Sequence, residues 1–283
     1  MFPDFFERAM EETQSDSAST KPRSEVFVVS IGGSLIMQEQ SLNVEAIQRI
    51  AASINTLVSE GYKIALVVGG GSICRSYLET GEKIGANQFA LDELGIAVTR
   101  ANAFLFVQAI SNSFSHVVTR FEKVEGILEQ GKVPILGGML PGCTTDCVGA
   151  LLAEKLNGTF VNLSNVDGVY SADPAVSKRA KLFRELSFEK LFQIATATEA
   201  KPGQHSAIDV PAALILKRSK IPAIFVNGTT LENFESAIKN QAFNGTVVQT
   251  SDSEIKSLET TFPKPLEEET DSPIRPEEIE PES

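Results

Sequence analysis

Apolar runs broken by polar or glycine-bearing stretches divide residues 25–250 into strands and helices. Val26–Ile31 is apolar except for Ser30 and stops at Gly32-Gly33, which predicts a strand. Ile64–Val68 is a second such run, stopped by Gly69-Gly70-Gly71. Continuous apolar runs suit parallel strands buried on both faces. Between the two runs, Val44, Ile47, Ile50, Ile54 and Leu57 recur at helical spacing and predict a helix over 43–58, ended by Gly61. A helix opening from the triple glycine would carry Ile73, Tyr77 and Ile84 as apolar positions. Leu94, Val98, Ala101, Leu105 and Ala109 predict one apolar face of a long helix over 92–110. Strands at 115–118 and 133–136 bracket a helix at 121–130, and a helix over 144–156 has a threonine at its N-cap. A strand at 159–163, a helix at 207–218, a strand at 222–227, a helix at 231–240 and an edge strand at 245–249 complete the pattern. Strands alternating with helices predict an α/β protein, a three-layer αβα sandwich around a mainly parallel sheet. The sequence contains no internal repeat.

Composition sharpens the boundaries. The chain has 283 residues, 42% of them hydrophobic, and a net charge of −12. Residues 251–283 hold eleven carboxylates against Lys256, Lys264 and Arg275, and residues 1–24 hold five against Arg8, Lys21 and Arg23. The body between them is therefore close to neutral. Segments 11–24 and 251–283 are too poor in core-forming side chains to offset the entropy of ordering. The expected organisation is an N-terminal extension (1–24), one domain (25–250) and an acidic tail (251–283), with both ends disordered. No basic patch predicts nucleic-acid binding. No apolar run approaches the ~20 residues of a membrane helix, and the polar start does not read as a secretory leader. Cys74, Cys143 and Cys147 have no zinc-ligand spacing and read as reduced thiols of a cytosolic protein. No metal-ligand cluster is predicted.

The chemistry concentrates in loops that follow strands, where open α/β sheets bind their ligands. Gly69-Gly70-Gly71 lets backbone N–H groups converge on one point, with the next helix aiming its N-terminus there and Arg75 one turn in. This is the composition of a phosphate cradle, though a tight turn beside a surface arginine would look similar. Ser30-Ile31-Gly32-Gly33-Ser34 offers a second glycine cradle and a hydroxyl. The loop 137–146, GGMLPGCTTD, brings Thr144, Thr145 and Asp146 to a helix start. The loop 164–174, SNVDGVYSADP, presents Tyr170 for stacking on a planar ring and Asp173 as an acceptor; Tyr170 could equally pack in the core.

In order, IGGS, VVGGGxxxR, DELGIxVTRxNA, GGxxPGxTTD and NVDGVYxADP resemble the archaeal-type UMP kinases of the amino-acid kinase family over residues 25–250. That resemblance implies the amino-acid kinase fold and transfer of the ATP γ-phosphoryl group to UMP, with Mg²⁺ between the phosphates. It implies an ATP side of Ser30, Ile31, Gly32, Gly33 and Ser34, together with Gly71, Arg75, Ser164, Asn165, Tyr170 and Asp173. It implies a UMP side of Gly70, Asp92 and the run Leu140, Pro141, Gly142, Cys143, Thr144, Thr145 and Asp146. Asp92 would accept from ribose hydroxyls, and Arg75 would be the catalytic charge, with Arg100 as the other candidate. A cytoplasmic homohexamer with small-molecule substrates, and no nucleic-acid or membrane partner, is also implied. Many amino-acid kinases carry a lysine where Ser30 stands, and some uridylate kinases where Ser72 stands. Cys143 replaces a polar residue, Leu140 and Cys147 are unusual in that loop, and PGQHSAID (202–209) matches the family only loosely. These departures leave two other expectations open: a nucleotide-binding regulator without turnover, or a sister kinase with another acidic acceptor.

Overall fold

The computed structural model describes residues 26–39, 41–172, 174, 177–199 and 207–249. The extension 1–24 and the tail 251–283 lie outside them, as do Asp173 and most of PGQHSAID. The strands are β1 (Val26–Ile31), β2 (Met37–Gln38), β3 (Ser41–Leu42), β4 (Lys63–Val68), β5 (Ile135–Leu136), β6 (Thr159–Ser164), β7 (Glu185–Leu186), β8 (Ala223–Asn227) and β9 (Gly245–Val248). The α-helices are α1 (Val44–Ser59), α2 (Gly71–Lys83), α3 (Gln88–Ala109), α4 (Val124–Glu129), α5 (Thr145–Lys155), α6 (Phe188–Glu199), α7 (Val210–Ser219) and α8 (Leu231–Ile238).

Seven strands form one sheet in the order β5-β4-β1-β6-β8-β9-β7, and β2 and β3 form a separate hairpin. Every ladder of the large sheet is parallel except β8–β9. The pleat sorts the apolar residues into two cores. Phe27, Val29 and Ile31 of β1, with Ile64, Leu66 and Val68 of β4, pack under α1, α3 and α8. Val28 of β1, Ala65 and Val67 of β4 and Phe160 of β6 pack under α4 to α7. Strands covered on both faces explain why β1 and β4 are apolar along their whole length. Ser30 and Asn162 are register partners on β1 and β6. Both lie on the face covered by α5, so two polar side chains meet under the start of that helix.

The structure corrects several expectations. Residues 115–118 form no strand: Ser113 makes a lone bridge to Val133, and Val118 N–H donates to the Ile135 carbonyl at 2.8 Å. The strand after it shrinks to Ile135–Leu136. β9 is not an edge strand, because β7 pairs outside it at Glu185–Val247 and Leu186–Val248. β7, α6 and the β2–β3 hairpin had no counterpart in the sequence reading. The long helix begins at Gln88, capped by the Asn87 side chain, rather than at Asp92. Its buried face runs through Leu91, Val98, Thr99, Asn102, Ala103, Phe106 and Val107, while Ala101 is exposed. The helix is apolar around much of its circumference, so spacing alone did not select a face. Tyr77 on α2 and Ile84 just after it are exposed rather than packed.

Candidate active site

The chain runs from β1 outward to β4 and β5, then returns to β6 on the other side of β1. The carboxyl ends of β1 and β6 therefore flank the point where the winding reverses, the usual ligand position in such sheets. A cavity of about 430 Å³ opens there. Gly32, Gly33 and Ser34 line it after β1, Gly69 to Gly71 and Arg75 after β4, and Ser164, Asn165 and Tyr170 after β6, with Thr145, Asp146 and Asn162 beneath. A larger cavity of about 760 Å³ lies at the opposite ends of the strands, between Phe27, Tyr62, Gly158 and Lys220. It contains none of the glycine loops.

The two glycine loops touch. A Cβ on Gly33 would sit 2.0 Å from the Gly71 nitrogen, so no other residue fits at position 33 without displacing the second loop. Gly71 itself has φ +69°. Buried Asn102, on α3, donates to the Gly69 carbonyl at 2.9 Å and the Gly70 carbonyl at 3.1 Å. One turn earlier on α3, Thr99 accepts from Gly138 N–H at 2.8 Å, and Arg100 Nε donates to the Gly138 carbonyl at 3.0 Å. The TRxNA motif thus ties the triple-glycine loop to the 137–146 loop. Arg100, committed to a carbonyl, is a loop anchor. Arg75 is exposed at the cavity and makes no ion pair among the described residues.

Asp146 forms the floor. Thr144 caps α5 through a bond from Cys147 N–H at 3.1 Å, which sets Asp146 in the first turn. Its Oδ1 accepts from Ser30 Oγ at 2.6 Å and from Asn162 Nδ2 at 3.2 Å. Half-buried and lining the cavity, the carboxyl is pushed up to about 6, chiefly by loss of water. The Ser30 and Asn162 bonds oppose that rise, and the Asp209 charge adds to it. Asp209 caps α7 through Ala212 N–H and also accepts from the Thr144 hydroxyl. Tyr170 is half-buried, and its hydroxyl donates to Asp167 at 3.3 Å. Burial first, then the Asp167 charge, raises the phenol pKa.

Several expected site residues stand elsewhere. Ser30 is buried at 1% exposure and directs its hydroxyl at Asp146, and the Ile31 side chain is fully buried in the core. Strand pleating removes both side chains from the cavity that their glycine neighbours line. Asp92 lies inside α3 and accepts from Gly142 N–H at 2.8 Å, so it holds the loop 140–146 rather than standing free. Leu140, Pro141, Gly142, Cys143 and Thr144 extend beyond the cavity along that loop. Asp173 lies outside the described residues. Asn162, Asn102 and Asp209 were missed as site-building residues. A lone amide inside the apolar run of β6 was the signal for Asn162.

Among the described residues no helix is long and apolar enough to cross a membrane. Fold and site define an α/β protein with paired glycine loops meeting at a sheet switch point. The chain belongs to the amino acid kinase family, whose family model matches residues 25–227. It is 38% identical over 225 residues to a uridylate kinase of Methanocaldococcus jannaschii, covering 79% of this chain and 99% of the relative. The solved uridylate kinase of Archaeoglobus fulgidus superposes with a TM-score of 0.70 at 37% identity, covering 78% of this chain and 99% of that one. A Bacillus anthracis UMP kinase structure shares the fold with a TM-score of 0.67 at 20% identity, covering 81% of this chain and 97% of that one.

Proposed function

We propose that the protein is a UMP kinase that transfers the γ-phosphoryl group of ATP to UMP, giving UDP and ADP. The observation that carries this reading is the joining of three glycine-bearing loops around Asp146, combined with 38% identity to a uridylate kinase over nearly its full length. Phosphoryl transfer asks the protein mainly for positioning and charge neutralisation. ATP is assigned to the side formed by Gly32–Ser34, Gly71, Ser164, Asn165 and Tyr170. UMP is assigned to Gly70 and the loop Leu140–Asp146, with Asp92 fixing that loop from behind. An oxygen of the UMP phosphate attacks the γ-phosphorus while the bond to the ADP oxygen breaks. No side chain need form a covalent bond. α2 and α5 begin at Gly71 and Thr145, which both line the cavity, so two helix N-termini favour anions there, and Arg75 supplies five donors.

Mg²⁺ is assigned as the companion of the two nucleotides. The described residues hold no cluster of three or more metal-ligating side chains. An ion bound by one carboxylate and substrate phosphates needs none. Asp146 is the carboxylate that would hold it, and the ion would neutralise charge on the phosphates. The catalytic domain is assigned to residues 25–250, with 1–24 and 251–283 as extensions, in a cytoplasmic homohexamer. Exposed Tyr77, Ile84, Phe89 and Phe104 on α2, α3 and their connection support association between copies.

The test measures ADP release from ATP and Mg²⁺ with UMP, CMP, AMP, dTMP or acetylglutamate as acceptor. UMP should be the fastest acceptor by far. Equal turnover of CMP or AMP would refute the assignment, and binding of ATP and UMP without turnover would make the protein a regulator.

A further inference from the structure

The cavity of about 760 Å³ at the amino ends of the strands contributes no residue to the glycine loops or the Asp146 network. Phe27 of β1, Tyr62, Ile224 of β8 and Ile238 of α8 give it apolar walls. The Phe27 and Tyr62 rings meet edge to face, with centroids 6.0 Å apart. A second cavity of about 440 Å³ adjoins it, sharing Gly61 and Tyr62. Together the two are lined by Lys63, Lys132, Lys220 and Lys239 against Glu60 and Glu129, a positive balance on a chain of net charge −12. Lys239 is paired with Glu60 at 2.8 Å. Lys220 is exposed and makes no ion pair among the described residues.

The chain enters the domain at this same place. Val26 opens β1 beside Phe27, and its carbonyl oxygen lies 2.8 Å from where a Cβ on Gly158, another wall residue, would stand. The sequence ahead of Val26 has two parts. Residues 13–25 carry no aromatic side chain and only one aliphatic one larger than a methyl-bearing Thr or Ala would be: none, the stretch TQSDSASTKPRSE being polar and small throughout. Residues 1–12, MFPDFFERAMEE, are different. Phe2, Phe5, Phe6 and Met10 recur three and four positions apart, the spacing of one apolar helix face. At about 3.6 residues per turn, Glu7 and Glu12 border that face on its two sides. Asp4, Glu7, Glu11 and Glu12 stand against Arg8 alone, so the segment is acidic where the cavity rim is basic.

We propose that residues 1–12 dock on their own chain as an amphipathic helix, with Phe2, Phe5 and Phe6 seated in the cavity at the amino ends of β1, β6 and β8. This is the helix-in-groove mode, in which aromatic residues at helical spacing supply the contact area and flanking charges set the orientation. Residues 13–25 can span about 40 Å when extended, so the tether permits docking. It also holds the segment at an effective concentration on the order of millimolar. Charge complementarity between the acidic segment and the lysine-lined rim favours the encounter. Residues 251–283 are more acidic still, but Phe262 is their one aromatic residue, so they lack such anchors.

The test uses the full chain, read by zero-length carbodiimide cross-linking with peptide mapping and by amide hydrogen exchange. Cross-links should join Glu7, Glu11 or Glu12 to Lys220 or Lys132, in chains that keep the mass of one copy under denaturing conditions. Phe5→Asp combined with Phe6→Asp should abolish these links. It should also speed exchange at least about tenfold in peptides around Tyr62, Gly158 and Ile238, leaving peptides of the glycine loops unchanged. Phe5→Leu with Phe6→Leu keeps the apolar face and should keep both signals. Unchanged exchange in the aspartate variant would overturn the docking, as would faster exchange spread over the whole domain. The same links found only at twice the chain mass would assign the cavity to the segment of a second copy and overturn docking within one chain. Links to these lysines from carboxylates of 251–283, with none from 1–12, would overturn the choice of segment.

Discussion

Replacing Asp146 by Asn separates what this residue costs the fold from what it contributes to the reaction. Both hydrogen bonds to Asp146, from Ser30 and Asn162, end on Oδ1. An Asn carbonyl at that position accepts both, and its NH₂ takes the place of the free Oδ2, so shape and hydrogen bonding survive while the charge goes. The carboxyl is raised from 3.8 to about 6. A folded-state pKa above the unfolded one means that this group favours folding below 3.8. That advantage is lost as pH rises through about 6. The shift corresponds to about 3 kcal/mol between the two ends of the window. Other groups titrate alike in both proteins and cancel in the difference. Asp146→Asn should therefore match the wild-type trend near pH 4 and gain relative stability between pH 4 and 7. The full gain is roughly 6–12 °C in melting temperature for a domain of this size. Turnover should move the opposite way, down about 10- to 100-fold, as expected for loss of a group that orients a metal or its ligands. The assay is a set of thermal melts of both proteins from pH 4.5 to 8, with UDP formation measured at pH 7.5. A melting difference that does not change with pH would refute the burial argument, as would a variant less stable than wild type at pH 8.

Arg75→Ala should lower kcat with UMP about 10²–10³-fold with an unchanged circular dichroism spectrum, and Arg75→Lys should restore only part because an ammonium lacks the planar fork; a loss under about threefold would move the charge-stabilising role elsewhere. Asn102→Ala leaves the buried Gly69 carbonyl and the half-buried Gly70 carbonyl without this donor and should cost about 1–3 kcal/mol, read from urea unfolding, with turnover falling alongside; a loss below about 0.5 kcal/mol would show that the loops hold themselves. A chain ending at Thr250 should keep its melting temperature within a few degrees and its UMP turnover, and a larger drop would mean that the tail supports the domain.

The sequence alone determined the strands of the central sheet, because β1, β4, β6 and β8 are buried on both faces and their apolar runs need no partner to be recognised. It also located the two glycine loops that line the cavity, since glycines directly after a buried strand leave little choice of geometry, and Thr144 marked the start of α5. Tertiary structure decided the rest. Which face of α3 is buried depended on the glycine loops that Thr99 and Asn102 hold, because apolar side chains lie all around that helix. β7 has only two residues, and its pairing with β9 joins positions more than 60 apart. Ser30 looked like a ligand contact by position, but the pleat points it at Asn162 and Asp146. Asp146 could be read as a helix-start charge; only the convergence of β1, β6 and α5 removes its water and raises its pKa. Local sequence specifies backbone conformation and capping within a few residues, whereas desolvation and long-range hydrogen bonds exist only after distant segments have packed.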